Sequence, residues 1–67
     1  MKITNLRIER ERRKWSQEFL GQQLGITGQA VNLIETLKRN PSYPVLCGLE
    51  KEFYPLKHDY LLAQVKD

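Results

Sequence analysis

Between Ser16 and Pro41 the apolar positions fall into two short groups with a glycine between them. Leu20 and Leu24 stand four apart, the spacing that lines up two side chains on one face of a helix. Ser16 precedes them with a side chain suited to N-capping, and Glu18 places a negative charge in the first turn, where it offsets the helix dipole. Gly21 shares the apolar face, where a missing side chain lets another helix come close. Gly25 ends the helix as glycine commonly does just past a C-terminus, and Ile26 drops toward the core as the chain turns. Thr27 then caps a second helix, which turns Val31 and Ile34 inward and leaves Gly28, Gln29, Asn32 and Leu33 on its outer side.

The flanking segments repeat this helical spacing less cleanly. Residues 3 to 14 predict a first helix in which Ile3 and Leu6 begin a stripe that Glu9, Arg10 and Arg13 continue, so its far end must be polar or paired. Trp15 lies just before the Ser16 cap, with Leu20 fourth in the helix that follows. That is the spacing of a hydrophobic staple, and it assigns Trp15 to core packing rather than base stacking. From Tyr43, with Pro44 acceptable in a first helical turn, Leu46, Leu49 and Phe53 mark the buried face of a fourth helix, while Glu50 and Glu52 face solvent. Pro55 breaks the chain again, and a last helix from Leu56 carries Leu56, Tyr60 and either Leu61 or Leu62 as apolar positions. These predict an all-α chain, a compact bundle of about five short helices forming one domain over 1–67.

Sixty-seven residues allow little more than one small core, and domains of this size often gain stability by dimerising. Leu56, Tyr60 and Leu61 are surplus apolar positions for such a core, so the C-terminal helices, 43–66, offer either a two-fold dimer seam or a helix folded back on its own domain. The net charge of +3 is unevenly spread: residues 1–39 carry +4 and residues 40–67 carry −1. A basic half beside a slightly acidic one suits a domain that presents one face to a polyanion. The single cysteine, Cys47, excludes an internal disulfide and reads as a buried, inert thiol in an apolar stretch. No apolar run approaches membrane-spanning length and no signal-peptide pattern is present, so a soluble, cytoplasmic location without membrane contact is expected. His58 beside Asp59 is an exposed polar pair, with no second histidine and no nearby nucleophile. Metal-ligand clusters and phosphate-cradling glycine loops are missing too, and neither an enzyme, a cofactor nor a small-molecule ligand is indicated.

A short positioning helix, a glycine turn and a second helix that starts with polar residues make a helix-turn-helix arrangement over 16–36, whose second helix can lie in the major groove. The chain resembles the phage-repressor and Cro type (Xre) of helix-turn-helix domain, the lambda-repressor-like fold. The resemblance rests on Ser16-Gln17, Leu20, Leu24-Gly25, Ile26-Thr27, Gln29, Val31, Ile34-Glu35 and the run Lys38-Arg39-Asn40-Pro41-Ser42, and it spans roughly residues 5 to 61 without a gap. It implies that Arg10 packs against Glu35 as a structural ion pair joining the first helix to the recognition helix. It also implies that Gln17, at the start of the positioning helix, holds a phosphate, for which its amide and the helix N-terminal N–H groups are suited. Lys38, Arg39 and Asn40 would lie along the sugar-phosphate backbone, and Thr27 could bond a phosphate while it caps. Relatives usually have glycine where Leu37 stands, so a different turn is expected here.

Among the outward positions Gln29 is the strongest for base readout, since its amide can donate and accept along an adenine edge, and Asn32 lies one turn further on. Gly28 and Leu33 are expected to face the bases as well, Leu33 touching only a thymine methyl, and since relatives often have long polar residues at both places, specificity here leans on DNA shape and deformability. Arg12, Arg13 and Lys14 either reach phosphates or form an ordinary solvated run. The expected function is a sequence-specific regulator of double-stranded DNA, a homodimeric repressor reading an inverted repeat. The alternative is a protein-interaction module on the same scaffold, such as an antitoxin, in which Gly28 and Leu33 mark a helix that no longer reads bases.

Overall fold

The computed structural model describes residues 2–65. Five helices follow in order: α1 Asn5–Arg12, α2 Gln17–Leu24, α3 Gly28–Glu35, α4 Tyr43–Glu52 and α5 His58–Leu61. They enclose one apolar cluster of Leu6, Leu20, Val31, Ile34, Val45, Leu49, Phe53 and Leu61, with Trp15, Leu24, Ile26, Leu56 and Leu62 packed around it. The all-helical bundle therefore stands as expected, with α2 and α3 the most closely packed pair of helices.

The two N-caps around the turn form as the residue types dictate. Ser16 Oγ accepts from the Phe19 amide at 2.9 Å, and Thr27 Oγ1 accepts from the Ala30 amide at 3.0 Å. Gly21 is required by a close approach, though to backbone and not to a helix face. A Cβ there would lie 2.6 Å from the Ile26 carbonyl oxygen, so the turn can fold down on α2 only over a hydrogen atom.

α1, α2 and α3 all stop in the same way. Each is followed by one left-handed residue, Lys14 (φ 60°), Gly25 (φ 75°) and Leu37 (φ 63°). In each case the next amide reaches back five residues: Trp15 to Arg10 O, Ile26 to Gly21 O, Lys38 to Leu33 O, at 3.2, 2.8 and 2.9 Å. The expectation of a different turn at Leu37 is thus corrected. The turn is retained and leucine is forced into it, because the two capping hydrogen bonds and the packed helix behind it outweigh a backbone penalty of about 1–2 kcal/mol.

Other sequence expectations shift in detail. α1 is shorter than 3–14, since Ile3 and Thr4 are drawn into an extended pairing: Thr4 bridges Gln64, and the Val65 amide donates to Ile3 O at 2.9 Å. The same pairing limits α5 to one turn, the chain beyond it returning alongside the N-terminus. The buried face of α4 runs through Val45, Leu49 and Phe53, with Leu46 only half-buried. Cys47 falls on the opposite side and is exposed, not buried. Leu61 is wholly enclosed by its own chain's core and is withdrawn from any dimer seam, whereas Tyr60 is 44% exposed and Leu56 half-buried. Tyr54, unassigned by the periodicity, is 80% exposed.

Two polar clusters hold α5 in place. Tyr60 donates its hydroxyl to Glu9 Oε2 at 3.2 Å, and Asn5 Nδ2 donates to the Tyr60 carbonyl at 3.0 Å. Burial alone would raise the Glu9 carboxyl, but hydrogen bonds from Arg13 and Tyr60 with the charge of Arg12 hold it below its ordinary value of 4.5. Glu50 takes two bonds from His58, from its amide at 3.0 Å and its Nδ1 at 2.5 Å, while His58 Nε2 lies 3.1 Å from Asp59. The Glu50 bond raises the His58 imidazole above 6.5. His58 and Glu50, expected from the sequence to be exposed, are therefore a fastening between α4 and α5.

Candidate nucleic-acid interface

The outer side of α3 exposes Gln29 and Asn32, with Thr27 exposed at its cap. Gly28 and Leu33 are half-buried, so neither stands fully out as the helical wheel suggested. The empty space at Gly28 has a structural cause. A Cβ there would meet Glu18 Cγ at 3.0 Å and the Glu18 backbone nitrogen at 3.1 Å, so the start of α3 presses directly on α2. The Leu33 carbonyl accepts from both the Lys38 and Arg39 amides, at 2.9 and 3.2 Å, which ties the chain beyond α3 back to the helix end.

Beneath this surface the Arg10 guanidinium bonds Glu35 through two nitrogens, Nε to Oε2 at 2.6 Å and Nη2 to Oε1 at 3.3 Å, while Nη1 donates to the Trp15 carbonyl at 2.6 Å. Both side chains are almost fully enclosed, at 8% and 0% exposure. The pair links α1, the turn into α2 and the last residue of α3. An isolated carboxylate at this depth would be strongly disfavoured, and here all its bonds are satisfied.

Gln17 is placed differently from a free phosphate clamp. Its amide nitrogen donates to Glu35 Oε1 at 3.1 Å and to Asn32 Oδ1 at 3.2 Å, which turns the side chain inward against α3. Its carbonyl oxygen accepts and cannot hold an anion, so phosphate contact at this point would fall to the backbone N–H groups at the start of α2. Gln17 and Asn32 lie fifteen residues apart in sequence, and no helical spacing relates them.

The cations sort into two groups. Arg7 pairs with Glu11 at 3.4 Å, and Arg12 and Arg13 pair with Glu9 at 3.3 and 3.0 Å. Arg13 also lies over the Phe53 ring, 4.8 Å from its centroid, with Trp15 packed edge-on against Phe53 at 5.4 Å. Arg13 thus covers an aromatic pair while part of its side chain stays exposed. Lys14, Lys38 and Arg39 make no salt bridge among the described residues, and Lys38, Arg39 and Asn40 are all exposed directly beyond α3. Arg7, Arg12 and Arg13 each lie beside an acid of α1, so this helix carries less uncompensated charge than its number of cations.

A capped positioning helix, a left-handed glycine turn and a second helix with exposed amides flanked by unpaired cations define a helix-turn-helix domain. A model of the helix-turn-helix family matches residues 6–61, and the chain belongs to that family, one of DNA-binding transcriptional regulators rather than enzymes. No curated protein and no solved structure matches the chain. No helix among the described residues is long and apolar enough to cross a membrane, and they contain no cluster of side chains that could hold a metal ion.

Proposed function

We propose that this protein is a sequence-specific, dimeric repressor of the phage-repressor and Cro type, reading an inverted repeat with α3 in the major groove. The observation that carries the reading is the exposure of Gln29 and Asn32 on α3, with Gln17 at the start of α2 against Asn32 and the unpaired Lys38 and Arg39 exposed directly beyond α3. Gln29 reads a base edge, Asn32 a second one, and Lys38, Arg39, Asn40 and the α2 N-terminal amides hold phosphates on either side. Exposed Tyr54 and Tyr60, next to half-buried Leu56, supply the contact between two copies. Half-sites would then be centred about 34 Å apart, one turn of duplex.

The protein-interaction alternative drew on Gly28 and Leu33, and both have packing reasons in this fold: Gly28 admits Glu18, and Leu33 is partly covered by its own chain. Selection from random duplexes followed by salt titration tests the reading. Gln29→Ala should relax preference at one position by about 1–3 kcal/mol, while Lys38→Ala should weaken all duplexes alike and lower the salt slope by about one. Affinity that is insensitive to salt and to duplex sequence would refute a base-reading regulator.

A further inference from the structure

We infer that Gln17 is a positioning residue that fixes the polarity of the Asn32 amide, so that Asn32 leads with its NH2 group into the groove and does not make the two-bond contact to adenine. This rests on the DNA-binding reading above and names what one of its readers recognises.

The argument runs outward from the buried charge. Both Glu35 oxygens face guanidinium nitrogens of Arg10, which only donate, so both act as acceptors. The Gln17 atom facing Glu35 Oε1 at 3.1 Å must therefore be the NH2 group, since a carbonyl oxygen would be repelled there. The second hydrogen of that NH2 points at Asn32 at 3.2 Å, and the atom that receives it must be the acceptor, Oδ1. Asn32 is exposed, so its remaining NH2 group is the one presented outward. A side-chain amide can ordinarily turn over and offer either end. Here three fixed donor–acceptor choices, starting from Arg10, determine which end faces a groove.

An asparagine free to rotate matches adenine by accepting from N6 and donating to N7. With Oδ1 engaged by Gln17, the NH2 group leads into the groove. The O6 and N7 of guanine or the O4 of thymine accept it without opposition, whereas adenine offers N7 beside its own N6 donor, which faces the same NH2 unfavourably. The buried ion pair thereby acts on specificity as well as on stability, through a chain of four side chains that ends on the surface.

Selection from random duplexes with the full chain tests this, Asn32→Ala first locating the base position that Asn32 reads. The native protein should prefer guanine or thymine there by about tenfold over adenine. Asn32→Asp keeps the acceptor for Gln17 but removes the outward donor, and should shift the preference to cytosine or adenine, which present donors. Gln17→Met releases the amide and should admit adenine. Gln17→Lys, a donor with no acceptor, should restore the native preference whatever its effect on total affinity. Circular dichroism on each variant separates loss of fold from change of preference. A native preference for adenine at this position, or an unchanged preference in Asn32→Asp or Gln17→Met, overturns the inference while leaving DNA binding in place. Absence of any enriched sequence, at the Gln29 position as well, would remove the DNA-reading function and this inference with it.

Discussion

The turn that enters the recognition helix and the turn that leaves it close with the same reach-back hydrogen bond, but they are secured in opposite ways. At the entrance, Gly25 takes the left-handed conformation without strain, and the turn rests on α2 through backbone, with the Ile26 carbonyl against Gly21. At the exit, Leu37 takes the same conformation against its preference, and the anchor is a buried charge pair, Glu35 with Arg10. Glu35 also receives the Thr4 amide on its carbonyl at 3.0 Å, which ties the N-terminal segment to the same point. A turn's conformation, then, is set by what the helix end must bond and pack against. The glycine only lowers its cost.

The two anchors can be broken separately. Arg10→Met strands the Glu35 carboxylate in the core and should cost about 3–5 kcal/mol, most of the stability expected of so small a domain. Thermal and urea unfolding would read it, and the double variant Arg10→Met with Glu35→Leu should recover much of the loss. A loss under 1 kcal/mol for Arg10→Met alone would mean that the exit is not held by charge. At the entrance, Gly21→Ala forces a methyl against the Ile26 carbonyl and should cost about 1–3 kcal/mol, by the same unfolding measurements.

The comparison sharpens at the left-handed residues themselves. Leu37→Gly should raise stability by up to about 1 kcal/mol, because relief of the backbone exceeds the added freedom of the unfolded chain. The reverse change, Gly25→Leu, should cost a similar amount. If Leu37→Gly destabilises, leucine packing rather than capping bonds secures the exit.

The smallest effect lies away from both turns, at His58. Its folded pKa is raised above 6.5, so its contribution is fully present below that value and lost as pH rises through the raised one. Unfolding midpoints should fall slightly over that upward range, and His58→Gln should flatten the profile there. Glu9 has the opposite sign: its carboxyl is lowered, so what it contributes holds above 4.5 and is lost as pH falls below it.

The residues legible in advance were those whose signal is local. Ser16, Gly25 and Thr27 announce their turn because capping and left-handed backbone are properties of a few neighbouring positions, and the apolar spacing around them indicates a helical bundle. The resemblance supplied the Arg10 and Glu35 pairing, which no spacing contains. Faces of α4 one position apart are equally periodic, so Val45 could not be told from Leu46, nor Cys47 assigned to the outside, until the other helices were packed.

Helical order, the two caps and the glycine turn were settled by neighbouring residues, because their energies depend on a single turn of chain. Which end of the Asn32 amide faces outward, how closely α3 presses on α2 at Gly28 and how short α5 must be were settled by residues meeting across the fold. Those outcomes depend on contacts between residues far apart in the chain, such as Gln17 with Asn32 and Tyr60 with Glu9, and a linear pattern carries no record of them until the core has closed.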